Sequence, residues 1–274
     1  TPTGGAPNVP TTNTKPQTSE NNKPPDTGGN HKRFKLPPAL RYEDFRNFFF
    51  GLLAAVSGFQ IFQFGQLWLV HELTGSPLFL GYVGLANAIP AISLNLVGGV
   101  VADRINKRKL IVVTQIMSAL LVLLLASLTA THVVQPWHVI AVAVAAGAIN
   151  AFNQPARQAL YPRLIKPSAL MSAVALNSAV WQGTRIVAPG IAGVLIALAG
   201  SAAAFYAAAA GMLAFAAIVS ALNFREPTRL KHSNPLTDIF EGLRFIRSNH
   251  IFGVLIAMTF FNSFFGMAYV VLMP

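Results

Sequence analysis

Residues 99–109 read Gly99-Val100-Val101-Ala102-Asp103-Arg104-Ile105-Asn106-Lys107-Arg108-Lys109, and this stretch decides how the chain folds. An apolar run of helical length ends at Ala102, an acid and a basic cluster follow at once, and a second apolar run starts at Leu110. Two helices joined by so tight and so charged a turn place the turn at a water boundary and their apolar lengths in lipid. Lys and Arg in short loops stay on the cytosolic side, so the turn also orients both neighbouring spans. Asp103 at a helix end is suited to neutralise the positive end of another helix dipole. Asn tolerates a left-handed turn better than other non-glycine residues, so Asn106 is compatible with one here.

Composition agrees with this reading. Hydrophobic residues make up 53% of the chain and charged residues 11%, and several apolar runs approach the ~20 residues that cross a hydrocarbon core. The absence of Cys excludes disulfides and Cys-ligated metals. A net charge of +11 invites a nucleic-acid partner. The Lys and Arg lie in alternate loops, however, not on one helix or patch, which argues for no nucleic acid.

Upstream of the turn, the second span covers 78–101. Gly81, Gly84, Gly98 and Gly99 permit close helix approach there, and Pro90 is a kink site. The first span covers 48–69. Its polar residues Ser57, Gln60, Gln63 and Gln66 recur every third position, and such a stripe belongs in the bundle interior or a cavity. Gln60 and Gln63 are candidates for cavity lining, with helix–helix hydrogen bonding as the alternative. The loop 71–77 has no Lys or Arg and is expected outside. Residues 32–47 form a basic juxtamembrane segment, with a short surface helix expected over 36–46. Residues 1–31, rich in Thr, Pro, Asn and Gly, read as a disordered tail. The sequence opens on Thr1 and not on Met, so a start further upstream is expected.

Downstream, the third span (110–130) is dominated by Leu and Val and reads as peripheral and lipid-facing. His132, Trp137 and His138 mark an outer interface after it. In the fourth span (139–157), Asn150, Asn153, Gln154 and Arg157 share one helical face. The fifth span (176–198) carries Arg185, the only Lys or Arg inside an expected span, with Asn177, Trp181 and Pro189 at four-residue spacing around it. Arg185 either attracts an anionic group or joins a coupling relay in a cavity, or anchors spans by hydrogen bonds to Asn150, Asn153 or Gln154. A short uncharged loop near Gly200 leads to an Ala-rich sixth span (202–223). A linker over 224–250 follows, with an amphipathic helix at Leu236, Ile239, Phe240, Leu243, Phe245 and Ile246, and then a seventh span. Of the 20 Lys and Arg, 19 fall in the tail or after even-numbered spans, and Arg185 is the remaining one. That alternation puts the N-terminus in the cytosol.

The pattern Gly-x-x-x-Asp-Arg-x-Asn-Lys-Arg resembles the signature loop between the second and third spans of the major facilitator superfamily, with Asn106 where a Gly is common. Pro155-Ala156-Arg157-Gln158-Ala159-Leu160-Tyr161-Pro162-Arg163-Leu164 resembles a segment of one exporter branch, which includes enterobactin-type siderophore exporters and macrolide-efflux-type proteins. Glu72 to Pro77, Asn177-Ser178 and Arg185 look like the same branch. Ala188-Pro189-Gly190-x-x-Gly193 is similar to the fifth-span motif of drug–proton antiporters, with Ala188 replacing the usual Gly.

The resemblance covers 45–274. It implies an all-α membrane protein of the major facilitator superfamily fold: a six-span N-terminal bundle (48–223), a linking helix (224–250) and the first span (251–274) of a C-terminal half that is otherwise missing. It implies a secondary active transporter of the plasma membrane that exports a drug- or siderophore-like small molecule by alternating access. Protons are the implied coupling ion, and no cofactor or metal is implied. Carried over, Gly99, Asp103, Arg104, Lys107 and Arg108 form a gating loop, with Asp103 docked on a helix N-terminus and Arg104 and Arg108 pairing nearby. Gln60, Gln63, Asn150, Asn153, Gln154, Trp181 and Arg185 are expected at the substrate cavity or coupling site. Pro189, Gly190 and Gly193 are the fifth-span packing motif. No His or acid falls in an expected span and no phosphate-binding loop occurs, so the sequence holds no catalytic constellation. The competing readings are a seven-span scaffold or chaperone without transport, and an importer of the same fold.

Overall fold

The chain divides between Lys35 and Leu36 into two units. The computed structural model describes residues 37–222 continuously, together with Thr1, Gly4, Gly5 and helical residues between 253 and 261. The tail expected over 1–31, the linker over 224–250 and most of the span over 251–274 lie outside the described residues.

Among the described residues every element is helical: a 3-10 turn at Pro38–Arg41, α1 (Glu43–Thr74), α2 (Pro77–Arg104), α3 (Lys107–Ala130), α4 (Pro136–Leu160) and α5 (Leu170–Ala221), with two further 3-10 turns between α4 and α5. Helices satisfy their own backbone polar groups, which lipid cannot do. Five of these elements are long and apolar enough to cross a membrane. The last has 52 residues, and unbroken it would extend about 78 Å, far beyond any bilayer. It breaks at Gly200, whose φ of 79° and ψ of 169° fall in a region open essentially to glycine alone. The five helices, one divided into limbs 170–199 and 201–221, therefore make six passes.

Two apolar clusters show that the passes run up and down. Phe45, Phe48, Ala102, Ile111, Leu160, Ala173, Phe215 and Val219 meet in one cluster. Val70, Val83, Leu125, Val139, Ala192 and Ala204 meet in the other. The start of α1, the end of α2, the start of α3, the end of α4 and both outer ends of α5 thus share one end of the bundle. The turns at this end carry Arg104, Lys107, Arg108, Lys109, Arg163 and Lys166, whereas the turns at the far end carry no Lys or Arg.

The turns follow local chemistry. Gly75, at φ 62°, closes α1 and donates its N–H to the His71 carbonyl at 2.8 Å. Pro77 and Pro136 begin α2 and α4, where a missing N–H costs nothing. The surface helix expected over 36–46 does not form as one piece. A 3-10 turn buries Ala39 in the cationic-end cluster, and Tyr42, extended at φ −84° and ψ 119°, separates it from α1. Asn106 is not left-handed either, with φ −57° and ψ 112°. It caps α3 instead, its side-chain oxygen accepting from the Lys109 N–H at 2.9 Å.

Helix pairing is dominated by α1 with α5 and α2 with α4, and α3 leans on α5 and α4. Glycines set both main pairs. A methyl on Gly58 would lie 2.5 Å from the Ala208 carbonyl oxygen, and one on Gly211 would lie 2.6 Å from that of Ala54. Methyls on Gly98 and Gly147 would collide with the Ala151 and Asn87 carbonyls. Gly99, by contrast, faces open space. In the full-length protein Gly98→Ala is expected to cost about 1–3 kcal/mol through overpacking. Gly99→Ala should be neutral or slightly stabilising through helix propensity. Thermal unfolding in detergent separates the two; equal melting temperatures for both variants contradict the backbone contact.

Candidate functional site

Two features collect the polar residues: the turn between α2 and α3, and a cleft inside the bundle. At the turn, α2 ends at Arg104, Ile105 donates its N–H to the Val101 carbonyl at 2.9 Å, and α3 begins at Lys107. Asp103 and Arg104 are exposed in the last turn of α2, whereas Lys107 is 5% exposed. Arg108 donates from its guanidinium to the Ser220 carbonyl in the last turn of α5. That carbonyl belongs to a helix C-terminus, where acceptors lack intrahelical partners and a cation is favoured. The turn is thereby tied to the sixth pass by a charge-to-carbonyl bond, and Gly98 seats the residues just before it on α4.

The cleft lies between α1, α3, α4 and the second limb of α5, with about 30 Å³ of free space. Phe59, Gln115, Ser118, Asn150, Asn153 and Arg157 are among its walls. It separates the two apolar clusters. On α3 it falls between Ile111 of one and Ala119 of the other, and on α4 between Ala143 and Ala156. Asn153 donates its amide to the Thr114 hydroxyl at 2.6 Å, and Thr114 donates in turn to the Leu110 carbonyl at 2.7 Å. Arg157 is 8% exposed and lies over the Trp181 ring, 5.2 Å from its centroid. A second buried polar chain sits towards the far end: Asn87 donates to the Gln66 carboxamide oxygen at 3.3 Å, and Gln66 donates to the Val139 carbonyl at 3.0 Å. It joins α2, α1 and α4.

The structure thus brings Asn150 and Asn153 to the cleft and Trp181 against its Arg157, while Gln154 of the same expected face is exposed. Gln60 and Gln63 are half-buried and not among the cleft walls. It is Gln66 of that stripe, fully buried, that bonds between helices. Arg185 is exposed, with no bond to Asn150, Asn153 or Gln154. Pro189 and Gly193 are half-buried, and Gly190 and Gly193 face open space. Arg185 is not alone inside a helix: α4 continues through Pro155 to Leu160, which places Arg157 within it. The helical period already sets Arg157 on the face of Asn150 and Asn153, but taking the fourth span to end at the charge leaves it out of the expected cavity residues. Among the described residues no three His, Asp or Glu gather as metal ligands.

A six-pass helical bundle with a charged, tethered turn between its second and third passes is the architecture of a multi-pass membrane transporter. The chain belongs to the major facilitator superfamily: the profile of its transmembrane secretion effector family matches residues 36–274. It is 31% identical over 137 residues to the staphyloferrin A transporter of Staphylococcus aureus, covering 50% of this chain and 34% of that one. It is 28% identical over 207 residues to the multidrug efflux pump Tap of Mycolicibacterium fortuitum, covering 72% of this chain and 50% of the pump. It is 26% identical over 182 residues to the uncharacterized transporter YfiS of Bacillus subtilis, covering 64% and 42%. The chain therefore spans half or less of the relatives it matches. No solved structure matches it.

The buried amide chain gives a direct test. Gln66→Leu leaves the Asn87 amide without its partner and is expected to cost about 1–3 kcal/mol. Gln63→Leu, at a half-buried position, should leave the thermal midpoint within measurement error. A Gln66→Leu protein that melts like the parent removes the interhelical role.

Proposed function

We propose that the full-length protein is a secondary transporter of the cytoplasmic membrane that exports a small, drug- or siderophore-like molecule by alternating access, coupled to protons. The observation that carries this reading is the family match over the whole six-pass bundle. Export draws support from the efflux pump that shares 72% of this chain. Alternating access needs a second bundle for this one to rock against, and the exposed faces suggest where it packs. Between Leu110 and Ala126 the exposed residues of α3, Val113, Ile116, Met117, Leu120 and Leu124, are all apolar and suit lipid. Exposed α2 carries Ser93 and Asn95 among its apolar residues, and the first limb of α5 carries Gln182 and Arg185. Polar groups of this kind are costly against lipid, so these faces turn towards protein or a water-filled path.

In this reading the cationic end is cytosolic, and Asp103 docks on a helix N-terminus of the second bundle when that side is closed. No acid sits in the middle of a described helix: Glu43, Asp44, Glu72 and Asp103 all lie near helix ends. The coupling carboxylate therefore comes from the second bundle.

Substrate export by the full-length protein in vesicles, with and without a proton uncoupler, tests the function. Uncoupler-sensitive export is expected; export indifferent to it excludes proton coupling, and none at all removes the transporter reading. Asp103→Asn is expected to lower the rate about tenfold without loss of membrane insertion, a change of ~1.4 kcal/mol in the gating step. The orientation has its own test, helped by the absence of Cys from these residues. With single cysteines at Glu72→Cys and Lys109→Cys, an impermeant thiol reagent applied to intact cells should label the first alone. Equal labelling of both contradicts the sidedness.

A further inference from the structure

Arg157 lies in the last turn of α4, buried and without a charged partner among the described residues. It is 8% exposed, and a guanidinium stays protonated at any physiological pH. Trp181 attracts it through the ring face but does not neutralise it. Among the described residues no carboxylate pairs with it, and the described acids are all exposed near helix ends. A cation held away from water without a counter-charge is costly, and ionisable groups within a membrane pair with one another or with a bound ion.

The walls around it are donors without described partners. Gln115, 5% exposed, and Asn150 line the same cleft, and neither is hydrogen-bonded to a described residue. Among the described residues no polar side-chain atom is sealed from solvent without a partner, so these amides open into the cleft. A carboxamide can turn its NH₂ towards an anion. Asn153 is excluded, because its amide is committed to Thr114. The free space of about 30 Å³ holds one or two water-sized groups. It is on the order of a tenth of the space that a drug-sized ligand fills.

We propose that the cleft is an anion site, in which Arg157, Gln115 and Asn150 hold one compact monovalent anion taken from solution, of halide size, as the counter-charge inside the bundle. The site is too small for the exported molecule, so it is separate from the cargo path, and its occupancy does not depend on transport direction or proton coupling.

The test uses the purified full-length protein in lipid nanodiscs at constant ionic strength. Chloride and bromide are titrated separately against gluconate, which is too bulky to enter, and thermal unfolding is read. Chloride and bromide should each raise the midpoint saturably, and Arg157→Gln should abolish the rise. The double variant Gln115→Ala/Asn150→Ala should keep the response with an apparent affinity weakened about tenfold. A parent protein indifferent to both anions overturns the proposal, whether water or an acid of the second bundle fills the role. So does an Arg157→Gln protein that responds like the parent. Should Arg157→Gln fail to fold, an unchanged affinity in the double variant overturns it equally.

Discussion

Backbone-to-backbone contact between helices is the constraint on which the rest of this bundle depends. In lipid there is little hydrophobic gain in pressing one apolar helix on another, so close packing and a few hydrogen bonds must do it. Gly58 and Gly211 let α1 and α5 meet carbonyl to Cα, and Gly98 and Gly147 do the same for α2 and α4. Each pair is thereby fixed in register along its length. The long side chains are then left to fill the two clusters between the pairs, with Phe62 and Phe205 in one and Phe48 and Phe215 in the other.

That register places a polar layer between two apolar ones. Thr114 and Gln115 on α3 come level with Asn150, Asn153 and Arg157 on α4 because Ile111 and Ala119 are each committed to a different cluster. The same helices run into the charged turn. Asn106 caps α3 two turns before Thr114, and Arg108 fastens the start of α3 to the end of the sixth pass. A displacement of the turn cannot therefore be absorbed locally. It moves α3, and with it one wall of the cleft.

How much of this was legible in the sequence depends on whether the signal was local. The passes and the sidedness of the charges were legible, because span length and loop charge need no partner to be read. The face shared by Asn150, Asn153 and Arg157 was legible from the helical period, but Gln154, only one residue from Asn153, turned out exposed. A period fixes an arc of the helix, and the neighbours decide where the arc ends. Gly98 and Gly99 could not be told apart, since only the position of Ala151 distinguishes them. Asn106 carried two local meanings, left-handed turn and helix cap. The two-residue link to Lys107 selected the cap, because α3 begins at once and its first amides need an acceptor.

The two arginines within helices show why residue type alone does not assign a role. Arg157 and Arg185 face the same cost of leaving water, and each must meet it by a different route. Arg157 lies over an aromatic ring and among amides, inside a bundle that holds its side chain in place. Arg185, one turn beyond Trp181 on the same limb of α5, points out of that bundle among Ile186 and Val187, which are 80% and 58% exposed. An exposed cation flanked by exposed aliphatic residues is tolerable in a membrane only where protein or water covers it. The interior arginine is therefore held by this bundle's own residues, and the outward one depends on what covers that face of α5.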